Sequence, residues 1–273
     1  SIEQQCKVER LESYFPMVKE NPYIKMWKAF YLDKYIVKEF YSSKGADLKF
    51  DYQTAGIALR FSMADGEKLF DGVYQKGYNY FEDIGKDYDK VKEYIAEAEK
   101  FLKNAVPVKP GKYTTVLSPA AAGVFAHESF GHKSESDFMI GDENMKKEWA
   151  IGSRIGEDIL SIVDCGGCMG AGYTPFDDEG TKYTETYLIK DGLLQGRLHS
   201  AATAAYLEEA VTGNARAMNF EFEPIVRMTA TYIKPGNLTF DELLAPIQEG
   251  VYIKTIKHGS GMSTFTIAPS LAY

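Results

Sequence analysis

The sequence predicts an α+β fold in two parts, an N-terminal α+β domain and a β-rich, mostly antiparallel domain. Three observations predict it. A helix-period stretch, Asp89–Asn104, follows two strand-like segments in the first third of the chain. A connector, Ala105–Tyr113, holds two prolines and a glycine in nine residues. Beyond Ile151, short β-branched and aromatic runs alternate with Gly, Asp-Gly and Pro-Gly turns. With 273 residues, the chain is long enough for one large domain or two modest ones. The expected boundaries are a first domain over 1–105, a linker over 106–112 and a second domain over 113–273.

In the first domain, Pro16 and Pro22 break the start. Tyr23, Trp27, Phe30, Tyr31 and Tyr35 fall at near-helical spacing and predict a packing face or a subunit surface. Gln53–Phe61 ends in alternation, with Ile57, Leu59 and Phe61 on one face, and predicts a strand. Lys68–Gln75 predicts a second strand after a turn at Asp65-Gly66. Across Asp89–Asn104 the apolar positions Val91, Tyr94, Ile95, Ala98, Phe101 and Leu102 recur at three and four, the pattern of an amphipathic helix.

The second domain opens with a short β-branched strand, Thr114–Leu117. Ser118 and Pro119 then supply an N-cap and a first-turn proline, so a helix is expected from Pro119 to about Lys133. Further strands are expected over Ile159–Val163, Tyr183–Ile189, Ile225–Ile233, Val251–Ile256 and Ser263–Ile267. Short helices are expected over Ser200–Ala210 and Phe240–Glu249.

Composition removes several function classes. Lys and Arg total 31 against 39 Asp and Glu, a net charge of −8. An acidic chain gains nothing from counterion release on a phosphate backbone, so a nucleic-acid partner is not expected. Three cysteines, Cys6, Cys165 and Cys168, do not make a secreted disulfide framework. No basic segment leads into an apolar one at the start, and no apolar run reaches the roughly 18 residues of a membrane span. A cytoplasmic location without a membrane partner is the expectation.

Chemistry concentrates in Ala126-His127-Glu128-Ser129-Phe130-Gly131-His132. Neutral imidazoles are common zinc ligands, and a neighbouring carboxylate can serve as general base. Zinc helices often space their two histidines four apart. Here the spacing is five, which leaves the rings about 140° apart on an ideal helix at roughly 100° per residue. One histidine must come from a frayed end, or the helix must widen to a π-turn, with Gly131 the easiest place to relax.

Five ordered motifs place this helix in a wider pattern. Leu117–Phe125 is an apolar run leading into His127. Phe176-Asp177-Asp178-Glu179-Gly180-Thr181 resembles a DDEGT loop, and Leu188–Gly196 resembles an LI-x-x-G-x-L-x-G hairpin. Thr212-Gly213-Asn214-Ala215-Arg216 resembles a TGN-x-R element. Pro224–Thr229 with Thr231-Tyr232 resembles a P-x-x-RMT-x-TY strand. In order and spacing these resemble the TldD/PmbA family of zinc metallopeptidases, also called the modulator of DNA gyrase family, clearly over Tyr113–Tyr273.

The resemblance implies that the second domain begins with the metal-binding helix, that His127 and His132 hold Zn2+, and that Glu128 is general base on a zinc-bound water. It implies peptide substrates in extended or unfolded form, and a homo- or heterodimer with a family paralogue. It also implies a third ligand, a Cys in a Gly-Cys-Gly element beyond residue 273, so the chain is expected to be C-terminally truncated. The alternative is a non-catalytic partner subunit that binds peptide or supports an active one. A hydrolase of another amide is a further alternative.

Other residues carry weaker signals. Cys165-Gly166-Gly167-Cys168 reads as a glycine-rich turn with incidental thiols. His199 and His258 are low-ranking third ligands, and His258 is the better because glycines surround it and let a peptide approach. Arg216 and Arg227 read equally as peptide-binding or as ion-paired residues. Glu135 and Asp137 read as exposed acids past the helix end, with orientation of a ligand histidine as the second reading. Asp177, Asp178 and Glu179 read as a solvated acidic turn.

Overall fold

The computed structural model describes residues 2–261 and 264–273. Ser263, where the last strand was expected to start, lies outside them. The chain forms two compact units, Ser1–Val37 with Asp51–Lys112, and Lys38–Phe50 with Tyr113–Tyr273.

The first unit holds helices α1 (Gln4–Glu12) and α2 (Phe15–Lys19). Strands β1 (Ile24–Tyr41), β2 (Asp47–Asp65) and β3 (Lys68–Tyr78) follow in sheet order β1-β2-β3, with the tip of the β1–β2 hairpin belonging to the second unit. The aromatic segment read at helical spacing is therefore a strand. Period two wins because aromatic residues suit a pleated surface. Trp27, Ala29 and Tyr31 share a half-buried face, and Phe30 and Leu32 are exposed on the other. Helix α3 (Tyr88–Asn104) buries Val91, Tyr94, Ile95, Ala98 and Leu102. It meets the sheet through Tyr94 on Phe61 and Phe101 on Phe70, with ring centroids 6.0 and 5.5 Å apart.

At the start of α3, buried Asp87 accepts hydrogen bonds from Tyr14 (3.2 Å), Tyr74 (2.6 Å) and Tyr78 (2.6 Å). Burial alone pushes its carboxyl upward, but bonds from Tyr74 and Tyr78, the Lys76 charge and Tyr14 together hold it below the ordinary value. A lowered folded pKa contributes stability that is complete above the unfolded value near 4, and that is lost as pH falls through the folded value. Asp87→Asn should therefore cost about 1–3 kcal/mol at neutral pH and flatten the acid limb below about pH 4. Urea unfolding at several pH values measures both effects.

The second unit contains β4 (Thr114–Leu117), α4 (Pro119–Ala126), a π-turn (His127–Gly131), α5 (His132–Ser134) and α6 (Glu143–Glu148). Then come β5 (Ile162–Cys165), β6 (Glu185–Lys190), β7 (Leu193–Leu194), α7 (Ala201–Leu207), β8 (Ala215–Arg216), β9 (Ile225–Val226) and β10 (Thr231–Ile233). The last elements are α8 (Phe240–Leu244), β11 (Gly250–Ile253), β12 (Ile256–Gly261) and β13 (Phe265–Pro269). The main sheet runs β10-β5-β6-β7 and is antiparallel throughout. The pairs β8–β9 and β12–β13 are antiparallel, whereas β4 and β11 pair in parallel.

Several elements are shorter than expected, and two of them show why. Ile225–Ile233 splits into β9 and β10 because its middle amides leave the ladder. Arg227 N still donates to a backbone carbonyl, that of Asn214 beside β8, but Met228 N donates to the Glu135 carboxylate and Thr229 N to Asp164. Backbone donors satisfied by side chains have none left for a neighbouring strand. Helix α8 stops at Leu244 because Pro246 cannot continue it.

The core of this unit lies under α4 and the π-turn. Ala126, Phe130, Met139, Trp149, Ile162, Leu188, Ile189, Leu194, Leu198, Val226 and Met228 form one buried cluster. Each large apolar side chain there contributes roughly 1.5–3 kcal/mol by leaving water. Ala126 and Phe130 thus anchor the helix carrying the histidines in this cluster.

Candidate metal centre

The helix begins as its sequence requires. The Ser118 hydroxyl accepts from Ala121 N at 3.2 Å, and Pro119 stands in the first turn. After Ala126 the winding widens. His132 N donates to the His127 carbonyl, an i→i+5 bond that closes a π-turn over His127–Gly131. Of the two routes open to the five-residue spacing, the structure takes the π-turn. It returns residues five apart to one face, and the His127 and His132 ring centroids lie 4.7 Å apart at 81°.

Two glycines make this possible by close approach. A Cβ on Gly131 would lie 2.0 Å from Met228 Sδ, so Met228 packs directly on the π-turn backbone. A Cβ on Gly261 would lie 2.8 Å from the Glu128 carbonyl oxygen, so β12 runs against the backbone beside the carboxylate.

His127, Glu128 and His132 form a group whose ligating atoms all lie within 4.8 Å of one another. His127 is the most exposed of the three. Desolvation of its ring, aided by the neighbouring His132, holds its pKa below the ordinary imidazole value and favours the neutral, ligating form. His132 Nδ1 lies 2.9 Å from Glu135 Oε2. A Nδ1–H donated to that carboxylate leaves Nε2 with the lone pair, the tautomer a metal ligand needs. Two neutral imidazoles and a carboxylate on one face are a donor set that fits a divalent metal.

Glu135 is not an exposed acid. Only 1% of it is accessible, because the chain turns inward after Ser134. Its Oε1 accepts from Met228 N at 3.3 Å, and Arg227 Nη1 lies 3.6 Å from its Oε2. Asp137 is half-buried and accepts from Val226 N at 2.7 Å. Both acids therefore tether the histidine helix to the segment 226–228.

The DDEGT loop is not a solvated turn either. Buried Asp177 accepts from the amides of Glu179, Thr181 and Ala215. Asp178 pairs with Lys38 and accepts from Ala217 N, and Glu179 accepts from Ala201 N at the start of α7. Local amides explain the acids better than water does.

Nothing in the sequence marks Asp164, yet it joins two motifs. Fully buried on β5, it accepts from Asn214 Nδ2 (2.9 Å), Thr229 Oγ1 (2.6 Å) and Thr231 Oγ1 (2.6 Å). A lone Asp in an apolar strand gives no signal beyond its being costly to bury unpaired.

The remaining candidates lie outside the three-residue group. His258 is exposed on β12, in a stretch read as a glycine-rich segment. His199 is buried, with Nε2 2.9 Å from Glu209 and Nδ1 3.1 Å from Ser136 Oγ, a structural role. Arg216 is exposed on β8, and Arg227 reaches Glu135. Cys165 is buried and Cys168 half-buried, both as free thiols.

The family model described as PmbA/TldA metallopeptidase C-terminal domain matches residues 110–271, and the chain belongs to the PmbA/TldD family. A metalloprotease of Methanocaldococcus jannaschii is 31% identical over 267 residues, covering 96% of this chain and 58% of that protein. A zinc metalloprotease TldD homolog of Saccharolobus solfataricus is 29% identical over 265 residues, covering 93% of this chain and 58% of that protein. The chain thus spans just over half the length of these relatives. The crystal structure of TldE from Thermococcus kodakarensis superposes with a TM-score of 0.81 at 17% identity, over 100% of this chain and 62% of that one. That likeness carries the α+β fold.

Proposed function

We propose that the chain binds zinc through His127 and His132 and hydrolyses peptide bonds with Glu128 as general base. The observation that carries this reading is the π-turn, which gathers two imidazoles and a carboxylate within 4.8 Å. Zinc, when bound, would polarise the scissile carbonyl and make water acidic enough to attack near neutral pH.

The protein's own groups do the rest. Glu128 takes the proton of the attacking water and returns it to the leaving amine nitrogen. Glu135 holds His132 in its ligating tautomer. Arg227, beside Glu135, and the exposed Arg216 and His258 are assigned to the peptide backbone or carboxylate. Extended peptides as substrates, a second family subunit as partner and a cytoplasmic site of action belong to the same proposal. Among the described residues no helix is long and apolar enough to cross a membrane.

Metal removal tests the reading. Chelation should abolish hydrolysis of an unfolded peptide, and added zinc should restore it. Hydrolysis that survives complete chelation would overturn it.

A further inference from the structure

Beside the histidine helix lies a cavity of about 410 Å³, bordered by His132, Lys133, Phe138, Asp142, Met145 and Glu148. We infer that it receives a large apolar side chain of the substrate, next to the scissile bond, and selects peptides on that basis. The inference rests on the peptidase reading, from which it takes the position of the bond.

Its location comes first. His132 belongs both to the ligand group and to the cavity border. A peptide whose carbonyl reaches that group has a neighbouring side chain within one residue of the opening. The volume is at the low end for ligand pockets, room for one bulky side chain rather than a folded segment.

Its chemistry comes second. The charged residues on the border are already committed. Lys133 Nζ lies 3.0 Å from Glu148 Oε1 and 5.5 Å from the centroid of the Trp149 ring. Asp142 Oδ1 accepts from Asn144 N (2.9 Å) and Met145 N (3.0 Å) as the N-cap of α6. His132 Nδ1 is held by Glu135. Among the described residues on this border no unpaired charge is left to attract a charged side chain, and desolvating one against these pairs is unfavourable.

Phe138 and Met145 supply the apolar surface. Phe138 is 50% exposed, while its neighbour Met139 is completely buried. Met145 packs against the core cluster and presents a thioether that adapts to varied shapes. Together they suit Phe, Leu or Met.

The test is a set of otherwise identical peptides with Phe, Leu, Ala, Lys or Asp flanking the scissile bond, given to the metal-loaded protein. At one flanking position Phe or Leu should raise kcat/KM about tenfold or more over Ala, and Asp should lower it. Phe138→Ala combined with Met145→Ala should bring the Phe-to-Ala ratio towards one. Binding of the same peptides to the Glu128→Gln protein is measured in parallel. Apolar preference in binding without hydrolysis by the unmutated protein would support the pocket and overturn the peptidase reading. Equal cleavage and equal binding across the set, or an unchanged ratio in the double variant, would overturn the pocket.

Discussion

Glu128→Gln is expected to lower kcat for peptide hydrolysis by about 10²–10⁴-fold while metal content stays at the unmutated level. The substitution keeps size and hydrogen-bonding capacity but cannot accept the proton of attacking water. Glu128 is half-buried, and its backbone is pinned by Gly261 on one side and the π-turn on the other. A change confined to its carboxylate should therefore leave the helix in place. Matched zinc content with lost turnover separates a general base from a metal ligand. If the variant keeps hydrolysing peptides at the unmutated rate, the proposed role of Glu128 as general base fails.

Glu135→Gln is expected to weaken metal affinity about 10–100-fold. The carboxylate is 1% exposed and holds His132 Nδ1 at 2.9 Å, with Arg227 Nη1 3.6 Å away. The amide can still accept from His132, so the ring should stay near its position. What it loses is the negative charge that faces the imidazole and balances the guanidinium. Competition against a chromophoric chelator gives the affinity. The His132 imidazole signals in NMR report whether the Nδ1–H tautomer survives. A purely structural role would lower stability and leave both readouts unchanged in the folded protein.

Much of this architecture was legible in the sequence. The α3 stripe, the β2 and β3 alternation and the Ser118-Pro119 start all rest on local rules, and each element forms where those rules place it. The five-residue histidine spacing left two local solutions, and the structure adopts the wider turn, with Met228 packed where a side chain at position 131 would have to be.

What escaped the sequence depends on long-range pairing. Glu135 and Asp137 look like solvent acids because their partners, the amides of 226 and 228, are about ninety residues away. Asp164 is silent for the same reason, since its donors come from the segments at 214 and 229–231. The aromatic run at 23–35 shows the opposite failure, where helical spacing among large residues coincided with a strand. Asp164 ties the segments at 214 and 229–231 together, Asp177 ties its own loop to Ala215, and Glu135 ties the end of the histidine helix to Met228.

The most direct test of the central claim is zinc bound per chain after dialysis against buffered zinc, for the unmutated protein and for His132→Ala. The account predicts about one equivalent in the unmutated protein and a large loss in the variant, with the fold intact by circular dichroism. Equal zinc in both proteins would contradict the assignment of His127 and His132 as metal ligands, and none in either would contradict the claim that this chain holds zinc by itself.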